Sequence, residues 1–137
     1  MKKKIILSSL FIIVAGILGI WFMLFYKPTH FKRDVADEKG INITAVTLVK
    51  TYQANEQSAN TAFLDKPLQI TGEISVIKLD QTGQTTITLK SDDAFAGVFC
   101  TLKSKESTLK IGQQITIKAI CTGFLSDVVL KDGIIIK

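Results

Sequence analysis

Residues Ile5 to Tyr26 form a run of 22 without a charge, and Ser8 and Ser9 are its only clearly polar members. As a helix rising about 1.5 Å per residue, such a run spans roughly 33 Å, enough to cross a hydrocarbon core of roughly 30 Å. Lys2, Lys3 and Lys4 precede it, and Lys27, Lys32 and Arg33 follow it. Trp21 and Tyr26 lie near its C-terminal end, where amphipathic rings favour the headgroup layer. A cleaved signal peptide has a shorter apolar stretch and ends in small residues. This run ends in Trp21-Phe22-Met23-Leu24-Phe25-Tyr26, which is bulky throughout. No cysteine occurs among the first 99 residues, so no lipidation site is present there. The pattern predicts an uncleaved signal anchor over residues 1–27. The short basic N-terminus is expected inside, with the C-terminal domain exported.

That assignment changes the meaning of the charge. The chain carries a net charge of +5, which by itself would point to nucleic acid. Residues 1–33 hold six of the seventeen basic groups and none of the twelve acidic ones. Residues 34–137 therefore carry eleven basic against twelve acidic groups, a net of −1. The basicity belongs to the membrane flanks and is no argument for a polyanionic partner.

Residues 28–43 are polar and aperiodic and read as a juxtamembrane linker. The chain's one histidine, His30, falls in it and has no second metal ligand nearby, so it reads as a solvated linker residue. Thr44 then offers an N-cap for a helix reaching about Leu64. Ala45, Leu48, Val49, Tyr52, Ala59 and Phe63 fall on one stripe at helical spacing, the mark of an amphipathic helix. Glu56 lies inside that stripe, with Asn55 and Asn60 at its edges. A ligand-facing carboxylate is one reading; the expectation is that all three are structural polar groups where the helix meets the next unit.

From Leu68 the hydrophobic period changes from helical to two. Leu68, Ile70, Ile74 and Val76 alternate with polar residues, with Gly72 at an expected bend or bulge. Asp80-Gln81-Thr82-Gly83 is a turn sequence. Thr85, Ile87 and Leu89 form a second strand, and Val98, Cys100 and Leu102 a third with Phe99 facing outward. Residues 104–109 are long enough for a short helix. Ile115, Ile117, Ala119 and Cys121 mark a fourth strand, broken at Gly123. Residues 128–136 make a fifth, interrupted at Asp132-Gly133. Alternation alone fits a small sandwich as well as a barrel. The short helix between the third and fourth strands is the feature that favours an OB-fold. The expected class is mainly β with α: a five-stranded OB barrel at 44–137, preceded by an amphipathic helix and an N-terminal transmembrane helix.

Leu48-Val49, Tyr52, Asn55-Glu56, Ala59-Asn60 and Phe63-Leu64, followed by Lys66 and Ile70-Thr71-Gly72, resemble the opening of the tRNA-anticodon-like (tRNA_anti-like) OB-fold family. Gly97-Val98-Phe99-Cys100, Lys110-Ile111-Gly112-Gln113 and the run from Cys121 to Leu130 resemble its later strands. The resemblance covers roughly 45–137. It implies the OB fold and a bacterial envelope protein, and it assigns no biochemical activity.

Residues 34–137 contain no histidine, which removes Ser/His/Asp and Cys/His nucleophile systems. Asp92-Asp93 is a carboxylate pair in a turn, where such pairs are usually solvated. No phosphate or dinucleotide fingerprint occurs. The expectation is therefore a protein that is not an enzyme and needs no metal or cofactor. It would be held to the membrane by residues 5–26 and present a barrel to an unknown protein, peptide or oligomeric ligand. The alternative is single-stranded nucleic-acid binding on a face built from Phe99 with Lys78, Lys90 and Lys118. Phe95 and Phe124 read as loop residues packed on a barrel end, and residues 34–137 contain no arginine, so that alternative is disfavoured. Cys100 and Cys121 both point into the barrel. An oxidising compartment and the count of two favour a disulfide over two buried thiols.

Overall fold

The computed structural model describes residues 2–30 and 34–136. Lys32 and Arg33 lie outside the described residues, as do the side chains of Tyr26, Lys27 and His30. The chain divides into two compact units, Met1–Asp34 and Val35–Lys137. The first is helix α1, Lys2–His30. Its stretch Lys4–Phe25, 22 residues of mean hydropathy 2.6, is long and apolar enough to cross a membrane. Large side chains such as Phe11, Ile12 and Leu24 are more than 60% exposed along it.

The second unit begins inside the expected linker. Val35 is fully buried. Strand β1, Ile41–Thr44, pairs in parallel with the later Leu68–Thr71. The sequence pattern does not predict this strand, because four residues are too few to display a period.

Thr44 caps the next helix as expected, its hydroxyl accepting from Thr47 N–H at 3.2 Å. That helix is two, α2 (Ala45–Ala54) and α3 (Glu56–Phe63). Asn55 separates them in an extended conformation. Its side chain accepts from Ser58 N–H at 3.0 Å while its own N–H still reaches Thr51 C=O at 3.2 Å. The asparagine side chain replaces the helix's own bond, which is why such residues favour caps over helix interiors. The break also moves Glu56. It is an exposed residue in the first turn of α3, without the hydrogen bonds expected of a structural carboxylate. Asn60 is half-buried with its Oδ1 unpartnered, so Asn55 alone of the three serves clearly as scaffold.

Strands β2 (Pro67–Leu79), β3 (Thr85–Leu89), β4 (Val98–Leu102), β5 (Gln114–Phe124) and β6 (Val128–Ile136) form the barrel. Around the sheet the order is β2-β3-β4-β6-β5, and β5 closes on β2. β4 and β6 run parallel; every other barrel pair is antiparallel. This order is that of an OB-fold, and it holds without the feature that was to identify it. Residues 104–109 form bends and irregular chain and no helix, with Glu106 N–H donating to Thr85 Oγ1 at 3.0 Å.

Gly72 is not a bulge, since its pairing with Ile115 continues the β2–β5 register. A Cβ there would stand 2.9 Å from Ala45 Cβ and 3.2 Å from Leu89 Cβ, so the glycine lets α2 approach the barrel. The register shift on β2 lies instead between Ile74 and Val76. Gly123 and Asp132-Gly133 bend β5 and β6 without ending them.

Leu68, Ile70, Ile74, Ile87, Leu89, Leu102, Ile117 and Leu130 fill the barrel, and Leu48, Val49 and Tyr52 of α2 join the same core. Tyr52 stacks on Phe124 with ring centroids 5.6 Å apart, and its hydroxyl lies 3.2 Å from Cys121 Sγ. Burial, more than the Cys121 contact, pushes the phenol well above its ordinary range.

The expected disulfide is absent. Cys100 and Cys121 are both buried free thiols. Each is the register partner of Leu130, Cys100 from β4 and Cys121 from β5, so β6 lies between them. Two strand spacings put their Cα atoms about 9–10 Å apart, beyond the roughly 4.4–6.8 Å a bridge requires. Burial, with Asp132 nearby, pushes the Cys100 thiol up to about 12.

Candidate binding groove

The barrel's outer face carries a row of register partners, Val76 on β2, Thr88 on β3, Phe99 on β4 and Val129 on β6. Between the two inner members of this row, the chain leaves β3 after Leu89 and forms a loop over residues 90–97. It returns to β4 after bending close to the strand it has just left.

The loop is built from hydrogen bonds made by its own side chains. Buried Ser91 donates through Oγ to Ala96 C=O and accepts from Asp93 N–H at 3.0 Å. Asp93 Oδ1 accepts from Phe95 N–H at 2.7 Å and Ala96 N–H at 3.2 Å. Its Oδ2 accepts from Gln53 Nε2 of α2 at 2.9 Å. The Phe95 N–H, then Gln53, hold the Asp93 carboxyl below the usual carboxylate range. Asp92 pairs with Lys50 of α2 at 2.7 Å. At the loop's end Gly97 N–H donates to Asp127 Oδ1 at 2.7 Å and Gly97 C=O accepts from Val128 N–H at 3.0 Å, which joins the loop to the β5–β6 turn. A Cβ on Gly97 would stand 2.7 Å from Leu89 O, so only glycine permits this approach.

Between the loop and β2 lies an open groove of about 610 Å³. Its apolar surface comes from Val76, Ile111 and Phe95, which are 37%, 68% and 92% exposed. Its charged lining is Glu73, Asp92, Asp93 and Asp127 against a single Lys90. Such a surface can hold an apolar group and favours a cation over a phosphate beside it. Among the described residues no cluster of three or more His, Cys, Asp or Glu is arranged to hold a metal ion.

The residues expected to form one binding face are dispersed. Lys90 lines the groove, and Phe99 occupies the outer row beside it, half-buried. Lys78 is exposed further along β2, paired with Thr86. Lys118 is two strands round the barrel from β4 and donates to Ala36 C=O at 3.1 Å. Phe124 packs on Tyr52 as a barrel-end residue should, whereas Phe95 projects into solvent. Sequence reasoning missed Val76, Ile111 and Asp127 as groove residues. The spacing Ser91-Asp92-Asp93 before Gly97 was the one signal of an organised loop, and it read as solvated carboxylates.

The profile of the tRNA_anti-like family matches residues 1–133. The chain belongs to the tRNA_anti-like family. Seven chains of solved structures resemble it. One is a lipoprotein from Klebsiella pneumoniae subsp. pneumoniae MGH 78578, presented under a provisional nucleic acid-binding assignment. It aligns on the tRNA_anti-like chain with TM-score 0.53 at 16% identity, covering 69% of this chain and 92% of that one. At that identity the likeness establishes the shared fold. No protein of curated function matches this tRNA_anti-like chain.

Proposed function

We propose that this tRNA_anti-like protein is a membrane-anchored, non-catalytic binding module of the bacterial cell envelope. In this reading residues 1–27 anchor the chain, with α1 crossing the cytoplasmic membrane once, N-terminus inside. The OB domain stands outside and offers its groove to a protein or peptide. The charge-free apolar run Ile5–Tyr26 and the lysines before it support the anchor. A domain without histidine, whose Cys100 thiol is held protonated by burial, supports a non-catalytic role.

The observation that carries the reading is the groove's charge, four carboxylates against one lysine beside exposed apolar side chains. A phosphate backbone needs the opposite sign. Single-stranded nucleic-acid binding is the second reading, favoured by the description of the Klebsiella neighbour and by Phe99 on the outer row. Retention of the purified protein on immobilised single-stranded DNA separates the two. Absence of salt-dependent retention is expected, and retention that falls steeply with salt overturns the first reading. Protease added to spheroplasts is expected to degrade the OB domain. Its survival, or a mature N-terminus near Lys27, would refute the topology.

A further inference from the structure

We propose that the groove takes an extended peptide segment in which an apolar side chain is flanked by lysine or arginine. The proposal rests on the reading of the domain as a protein-binding module. It names the chemistry of the partner.

Phe95 is the first reason. A phenylalanine 92% exposed on a domain with an ample core is an uncommon exposure, and isolated large aromatics of this kind anchor interfaces. It is not at the tip of a slack loop. The backbone on both sides is tied by Asp93, Ser91 and Asp127. A side chain presented from an ordered backbone loses little conformational entropy on binding.

Charge is the second reason. Glu73 carries no ion pair among the described residues, and Asp92 meets only Lys50 in a pair more than 60% exposed on both sides, which water and competing cations reach freely. A lysine or arginine entering the groove therefore finds carboxylates on its rim and the face of an aromatic ring, a combination that favours a cation twice over. An acidic segment or a phosphate meets repulsion from the same groups.

Size and shape are the third. A cavity of about 610 Å³ accommodates a few residues of a ligand. Val76 and Ile111, which line the groove together with Phe95, provide apolar surface for its central side chain.

The test uses the full-length protein in detergent micelles and fluorescein-labelled probes read by anisotropy. The positive probe is the blocked peptide glycine–arginine–leucine–arginine–glycine. Its controls carry glutamate for both arginines, or serine for leucine; decathymidylate is the nucleic-acid arm. The basic probe is expected to bind at least about tenfold more tightly than the glutamate control. Phe95→Ala should weaken it about fivefold with an unchanged melting temperature, and Glu73→Gln about threefold. Equal binding of the glutamate or serine control, or indifference to Phe95→Ala, overturns the proposal and leaves the module reading standing. Decathymidylate binding more tightly than every peptide overturns both.

Discussion

Two loops of the barrel use the same chemistry to different ends. In the β2–β3 turn, Asp80 Oδ1 accepts from Thr82 N–H, Thr82 Oγ1 and Gln84 N–H at 2.8, 2.7 and 2.9 Å. In the β3–β4 loop, Asp93 accepts from two backbone N–H groups and from Gln53. The first loop closes a hairpin and displays only polar side chains. The second displays Phe95 and is tied to α2 and to the β5–β6 turn. An aspartate that gathers backbone donors makes a loop rigid; what the loop then presents decides whether that rigidity serves topology or recognition.

Their glycines differ in the same way. Gly83 has φ +82 and open space around its Cα, so it is needed for conformation. Gly97 has an ordinary φ but no room for a methyl group. The comparison predicts the larger loss at Gly97. Gly97→Ala should cost about 1–3 kcal/mol through overpacking against Leu89 and Thr88, and should release the Asp127 bond. Gly83→Ala should cost about 1–2 kcal/mol from the left-handed backbone alone. Denaturant titration of both variants checks the order, and a larger loss at Gly83 would break it.

Removing either aspartate comes next. Asp80→Ala and Asp93→Ala should each lower stability by less than the Gly97 change, with amide exchange accelerating at Thr82 and Gln84 in one and at Phe95 and Ala96 in the other. Acid should reproduce both effects together. Each carboxyl sits below its ordinary 3.8, Asp80 chiefly through the Thr82 hydroxyl and Asp93 chiefly through the Phe95 N–H. The stabilisation is complete above pH 3.8 and disappears as pH falls through the depressed folded values. Amide exchange in the two loops, followed from pH 6 to pH 2, should stay slow to below pH 3.8. Phe95→Ser should have the smallest effect on stability, within about 0.5 kcal/mol. A large loss there would mean that Phe95 is packed, and the contrast between the loops would fail.

The strands were legible because alternation is strict over 98–102 and holds over 114–119, and the buried face follows from it there; Thr86 and Ile120 are buried as well and depart from the period. Helix α2 was legible for the same reason at the helical period. Asn55 was visible as a polar residue, but whether it stays in the helix or breaks it depends on a single hydrogen bond to Ser58. Glu56 opens α3 after that break and is exposed, while Ala59 and Phe63 beyond it keep the core side that the stripe assigned to them. The groove was hardly legible. Val76 and Thr88 are ordinary outward strand residues, and Ile111 lies in another loop; nothing local says that the 90–97 segment folds across them.

By itself, the sequence determined the apolar helix, the five-strand period, the cap at Thr44 and the confinement of the excess basic charge to residues 1–33, because each depends on the order of neighbouring residues. Tertiary structure alone decided which strands meet. It put β6 between Cys100 and Cys121 and so kept two inward thiols apart. It also drew carboxylates from residues 73, 92, 93 and 127 to one groove beside an exposed phenylalanine. Barrel closure sets distances between residues tens of positions apart, and no period along the chain encodes them.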